Sequence, residues 1–240
     1  MIKLATVDMT KTLTKKAYKK QFSEQQARLV LLLRKQFVSK MPVILVFEGW
    51  DASGKGGTIR RLLKNHDPRH YHVWSTTAPT QEELSHHYLR RFWLRMPARG
   101  RVAVFDRSWY GRVLVERVEG FAERGDWKRG YDELNQFEKL LVEDGALVLK
   151  FFLHISKDEQ NRRFKAREKN PLKAWKMTPE DYRNRRKWDD YVVAIDDMLA
   201  KTDTPIAPWH VIPANDKRFA RSEVQRIMIR AMERTLKSTK

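Results

Sequence analysis

The stretch PVILVFEGWDASGKGG, residues 42–57, decides the fold. Its first half is a short apolar, β-branched run, which reads as a buried strand. Its second half is a glycine-rich turn closing on Lys55, and GTIRRLLKN continues as a helix. A strand, a glycine turn and a helix in that order build a loop for phosphate. Glycines let successive N–H groups converge on anionic oxygens, and the helix adds the positive end of its dipole. The spacing Gly49-x4-Gly54-Lys55 fits GxxxxGK[ST] up to the last position, where Gly56 replaces the hydroxyl residue that helps hold Mg²⁺. Gly49, Ala52, Ser53, Gly54, Gly56 and Gly57 are therefore expected around phosphate, with Lys55 on the terminal phosphates. Asp51 lies inside the loop and can take over the duty of the missing hydroxyl. A chance glycine turn is the alternative, and the strand, the helix and the register of Lys55 argue against it. Trp50 is expected to pack on a neighbouring helix rather than on a ligand.

Working outward, strands and helices alternate. SEQQARLVLLLRKQFVSK, from Ser23, reads as an amphipathic helix with Ser23 and Gln26 in a capping box. The first 22 or so residues read as a basic arm. The helix after the loop runs from about Gly54 to Asn65. Further strands are expected at YHVWST from Tyr71, at RVAVFD (101–106), at ALVLKFFLHI (146–155) and at WHVIPA from Trp209. Helices are expected at Gln81–Met96, Tyr131–Glu143, from Lys157, at Pro179–Leu199 and at Asp216–Leu236. This alternation predicts an α/β fold with a mostly parallel five-stranded sheet and helices on both faces, in three layers.

Two further motifs carry chemistry. The run VAVFD ends on Asp106, and a strand ending on a carboxylate beside a glycine loop resembles a Walker B element. In a parallel sheet such a residue faces the ligand crevice. Asp51 and Asp106 together offer hard oxygens suited to Mg²⁺; the other reading of Asp106 is a helix cap. NRRFKAREKNPLKAWKMTPEDYRNRRKW (161–188) is dense in Arg and Lys. Arg163 and Arg167 share a helical face, and guanidinium forks suit phosphate. The stretch, about 160–187, is either a lid that closes on the transferring group or a solvated basic face. Arg112, with Arg117, Lys64, Arg60 and Arg61, extends the positive track. Tyr88, Phe92 and Trp93 fit a packing face.

Composition limits the partners. Forty-nine Lys and Arg against thirty Asp and Glu give a net charge of +19 in 240 residues. Such a field draws polyanions without naming which. There is no cysteine, which excludes disulfides and thiolate metal sites. The seven histidines show no metal spacing. The N-terminal stretch lacks the apolar core of a signal peptide, and no run is long enough to span a membrane, so the cytosol is the expected compartment.

GWDASGKGG, FDRSWYGRVLVERVEGF, HISKDEQNRRFKAR, WKMTPEDY, KWDDY and IAPWHVIPANDKRFAR occur in order between about Leu29 and Arg230. Together they resemble the polyphosphate kinase 2 family. The resemblance implies a P-loop kinase fold with a helical lid, as one domain over residues 1–240. It implies Mg²⁺-dependent phosphoryl transfer between inorganic polyphosphate and a purine nucleotide. Asp51 and Lys55 match the family's Walker A pair, Asp106 and Arg107 its Walker B pair, and Arg167 its lid arginine. Homo-oligomers are usual in the family. FDRSWYGRVLVERVEGF is most similar to members that phosphorylate AMP to ADP, whereas single-domain length is usual for members that act on ADP or GDP. An ATP-dependent nucleoside monophosphate kinase shares the loop and the basic lid. A nucleic-acid-binding protein shares only the charge, and no recognition motif supports it.

Overall fold

The computed structural model describes residues 3–175 and 177–238. Residues 1–2 of the expected arm and Lys176 of the expected lid lie outside the described residues. Five strands, β1 (Val43–Gly49), β2 (Tyr71–Ser75), β3 (Val102–Asp106), β4 (Leu147–His154) and β5 (Trp209–Pro213), form one sheet in the order β2-β3-β1-β4-β5. All four pairings are parallel, with Val43 level with Val102 on one side and with Leu147 on the other. Val43 to Phe47 are at most 1% exposed. A continuous apolar run is what a central strand covered on both faces requires.

Eleven helices accompany the strands among the described residues: α1 (Lys15–Val38), α2 (Lys55–Leu62), α3 (Gln81–Leu84), α4 (Arg90–Trp93), α5 (Val115–Val118), α6 (Arg124–Glu143), α7 (Lys157–Glu168), α8 (Pro171–Ala174), α9 (Pro179–Arg186), α10 (Trp188–Thr202) and α11 (Lys217–Ser238). α1, α2 and α11 pack together and meet the sheet through α2 and α11. α5, α6 and α10 form a second group that meets the sheet through α6. After β1 the chain leaves toward β2, and after β3 it leaves toward β4 on the other side. The crevice therefore opens at the C-terminal ends of β1 and β3, where the strand order reverses. No described helix is long and apolar enough to cross a membrane.

Four element boundaries differ from expectation, one of them the start of α6, which lies at Arg124 rather than Tyr131. α1 begins at Lys15, with Thr14 accepting from the Ala17 N–H, so residues 15–22 of the expected arm are helical. No breaker interrupts KKAYKKQF, Tyr18 and Phe22 pack with ring centroids 5.4 Å apart, and Gln25 Nε2 donates to Ser222 O on α11. Gln26, expected in a capping box, is buried and donates to Arg61 O. The helix expected over Gln81–Met96 is two short pieces, α3 and α4. Ser85 Oγ donates to Glu82 O and ends α3, a backbone competition typical of serine. The helix expected over Pro179–Leu199 breaks at Lys187, which leaves helical geometry (φ −97°, ψ 27°). The break seats Trp188 against Trp50, with rings stacked at 3.6 Å.

Candidate active site

The loop between β1 and α2 owes its shape to three unusual backbone positions. Gly49 has φ +139°, and a Cβ there would stand 2.5 Å from the Leu153 carbonyl oxygen of β4. Ala52 follows at φ +61° and Gly54 at φ +107°. Lys55 opens α2, and its Nζ donates to Gly49 O at 2.7 Å and Trp50 O at 3.3 Å, so the ammonium lies over the loop. The Ser53 hydroxyl is buried and has no hydrogen-bond partner among the described residues. Trp50 packs on α10 as expected, and its indole N–H donates to His154 Nδ1 at 2.9 Å.

Arg163 corrects one expectation. It is 4% exposed and turned into the loop rather than toward a ligand. Its Nη1 donates to Ala52 O and Ser53 O, its Nη2 to Ala214 O and Asn215 O, and its Nε to Glu159. All five donors of the guanidinium are used. Arg163 is a strut that ties α7, the glycine loop and the end of β5 together. The Ala52 and Ser53 carbonyls are spent on it. Arg167, one turn further on, is half-buried, and its charge acts on Asp181 of α9.

The two expected carboxylates stand at neighbouring strand ends. Asp51 Oδ1 accepts from Arg107 Nη2 at 2.8 Å, and Oδ2 accepts from Asn184 Nδ2 at 2.9 Å. Burial by itself would raise this carboxyl, but the charges of Arg107 and Lys55 with those hydrogen bonds outweigh it and hold the group below its ordinary value. Asp106 closes β3, and its Oδ2 is the atom that a Cβ at Gly56 would meet, at 3.6 Å. A carboxylate thus stands beside the position where the usual motif carries a hydroxyl. Arg107 adopts φ +64°, and its carbonyl accepts from Thr76 Oγ1 at 2.7 Å.

A cavity of about 290 Å³ opens beside Asp51 and Arg107. Its walls include Asp51, Arg107, Tyr88, Arg112, Phe121 and Asn184. Arg112 lies over the Tyr88 ring at 4.2 Å and pairs with Glu116 at 3.1 Å. Arg117, expected on the positive track, is turned away instead, to Tyr131 OH and Asp197 at 2.8 Å each. Tyr88, expected to pack, lines the cavity. Sequence reasoning missed Glu48, Asn184 and Arg183. A signal existed for Glu48, which ends the apolar run of β1 with a carboxylate; Arg183 and Asn184, which reach the cavity from α9, were marked only as part of the basic stretch 160–187.

The donor set fits Mg²⁺. Each carboxylate offers about four lone-pair sites, so Asp51 keeps acceptor capacity beyond its two hydrogen bonds. Among the described residues no group of three or more His, Asp or Glu side chains forms a metal cage. Mg²⁺ sites are commonly built from one or two carboxylates with substrate phosphates and water.

The family described as polyphosphate kinase 2 (PPK2) matches residues 12–240. The chain is 52% identical over 237 residues to a polyphosphate:AMP phosphotransferase of Pseudomonas aeruginosa, covering 99% of this chain and 48% of that protein. It is 39% identical over 219 residues to ADP-polyphosphate phosphotransferase 3 of Rhizobium meliloti, covering 91% of this chain and 77% of that one. The crystal structure of polyphosphate kinase 2 from Arthrobacter aurescens TC1 superposes with a TM-score of 0.93 at 39% identity, covering 97% of this chain and 85% of that one. The chain spans about half the length of the AMP-named relatives it matches.

Proposed function

Because the chain belongs to the polyphosphate kinase 2 family, we propose that it transfers a phosphoryl group from inorganic polyphosphate to a purine nucleotide, AMP becoming ADP. The observation that carries this reading is the pairing of Arg107 with Asp51 in the wall of a cavity also lined by Tyr88, Arg112 and Phe121, with the Lys55 ammonium held on the Gly49 and Trp50 carbonyls of the adjoining loop. The loop of residues 49–57 is read as the phosphate-binding loop and holds the polyphosphate end. The cavity takes the nucleotide, with an aromatic floor for the base and Arg112 for its phosphate. The greater identity to an AMP-named relative favours AMP over ADP.

Phosphoryl transfer needs positioning and charge neutralisation rather than a protein nucleophile. An oxygen of the AMP phosphate attacks the terminal phosphorus of polyphosphate in line. The new P–O bond makes ADP, and the bridging P–O bond that breaks leaves polyphosphate one unit shorter. Lys55 neutralises charge on the terminal phosphates. Arg107, held by Asp51, faces the transferring group. Arg167 and the rest of 160–187 are read as the lid that excludes water. Asp51 and Asp106 would hold Mg²⁺, which when bound neutralises phosphate oxygens.

The test is a donor–acceptor matrix of polyphosphate or ATP against AMP, GMP, ADP and GDP with Mg²⁺. ADP formed from polyphosphate and AMP supports the proposal. Transfer from ATP alone refutes the donor, and ATP formed from ADP without turnover of AMP refutes the acceptor.

A further inference from the structure

The segment after β3 is gripped from two sides by buried carboxylates that the reaction itself does not call for. Glu48, at the end of β1, accepts both the N–H and the hydroxyl of Ser108 on Oε1, each at 2.8 Å. Glu138, from α6, accepts Tyr110 OH at 2.7 Å and the Trp109 indole N–H at 3.1 Å, and its other oxygen pairs with Lys150 at 2.7 Å. Ser108, Trp109 and Tyr110 are each at most 2% exposed. Immediately before them stands Arg107, at φ +64°. A left-handed arginine is disfavoured and persists only where its surroundings over-determine it. An AMP phosphate is already ionised and requires no general base, so a carboxylate in this wall works through what it holds.

We propose that Glu48 is a positioning residue: by fixing Ser108 it holds Arg107 in the left-handed conformation that brings the guanidinium to Asp51, while Glu138 secures the next turn. The assignment rests on the phosphotransfer reading for its kinetic consequence but not for its structural one.

Glu48→Ala, Glu48→Gln, Ser108→Ala and Arg107→Ala, with the Glu48→Ala/Arg107→Ala pair, test it. With polyphosphate and AMP, Glu48→Ala is expected to lower kcat about 10²-fold, in the range seen when one charge-stabilising group is lost, with KM for polyphosphate changed less than about threefold. Glu48→Gln keeps one oxygen, now an amide's, to accept from Ser108 and is expected to recover most of the rate. In the Arg107→Ala background Glu48→Ala is expected to cost less than about threefold more, because its effect passes through Arg107. Multiplicative losses, or Glu48→Gln as damaged as Glu48→Ala, would overturn the proposal. Ser108→Ala, which removes one of the two donors, carries the same cycle if Glu48→Ala does not fold. Crystal structures of the variants give a readout free of turnover. Arg107 leaving φ near +64° and losing Asp51 in Glu48→Ala or Ser108→Ala supports the proposal, and an unmoved Arg107 overturns it. A wild-type chain without polyphosphate-dependent transfer refutes the activity, and the crystal structures still decide the positioning role.

Discussion

At the scale of single residues, Gly49 shows how little freedom the site leaves. Any side chain there would press on the Leu153 carbonyl at 2.5 Å, at a φ of +139°. Gly49→Ala is expected to lower stability by roughly 3 kcal/mol or more and Tm by about 6–12 °C, read by calorimetry. In the proposed reaction Lys55→Ala and Asp106→Ala each remove charge handling around the transferred group. Each should lower kcat/KM about 10²–10³-fold in a polyphosphate-dependent ADP assay while the melting curve moves little. His154 gives a pH signature. Burial lowers its pKa to about 4, and as the neutral ring it accepts from the Trp50 indole. The unfolded chain binds this proton at higher pH than the fold does, so the stability is present above about pH 6.5 and is lost as pH falls toward 4. The loss is on the order of 3 kcal/mol. Tm at pH 7.5, 5.5 and 4.5 measures it, and His154→Gln should flatten that part of the fall. The turn from Gly49 through Asp51 to Lys55 was legible between β1 and α2 because glycine at a bend is a local signal. The role of Arg163 was not, because four of its five acceptors are carbonyls of the 49–57 loop and of the end of β5.

At the scale of elements, all five strands fall where the apolar runs place them, while helix boundaries moved. The expected 16-residue helix before Pro97 and the one after Pro179 both break, at Ser85, whose hydroxyl donates to the Glu82 carbonyl of its own last turn, and at Lys187, whose ammonium reaches Glu119 outside the helix. Periodicity reports a face to bury, not a partner that stops the helix. The joint between α6 and β4 rests on the Lys150–Glu138 pair, both 0% exposed. Lys150 also donates to Tyr110 OH and Thr202 O, so its three protons are satisfied. Lys150→Met leaves a buried carboxylate without its cation and should cost ~3–5 kcal/mol in denaturant unfolding. Lys150→Met with Glu138→Gln removes both charges yet keeps an acceptor for Trp109 and Tyr110, and should recover much of that loss. Neither residue could be singled out beforehand, since a lysine inside LVLKFFLH reads as an interruption until its acceptors are seen.

At the scale of the whole molecule, the +19 charge sets how the chain meets a polyanion. Raising salt from 50 to 200 mM should raise KM for polyphosphate by roughly tenfold or more if at least three cations engage the chain of phosphates. kcat should change little, because contacts inside the closed site are less screened. The sequence by itself determined the parallel α/β architecture, the glycine loop and the two strand-end carboxylates. Each follows from short-range patterns: alternation of apolar runs and helices, glycine at bends, a carboxylate closing a buried strand. Only the tertiary structure decided that Arg163 braces the loop, that Asp51 is shared by Arg107 and Asn184, and that Glu48 and Glu138 grip the segment behind Arg107. Those assignments depend on which donors and acceptors distant in sequence come within hydrogen-bond reach. Burial makes each such pairing obligatory, and only the assembled fold says with whom.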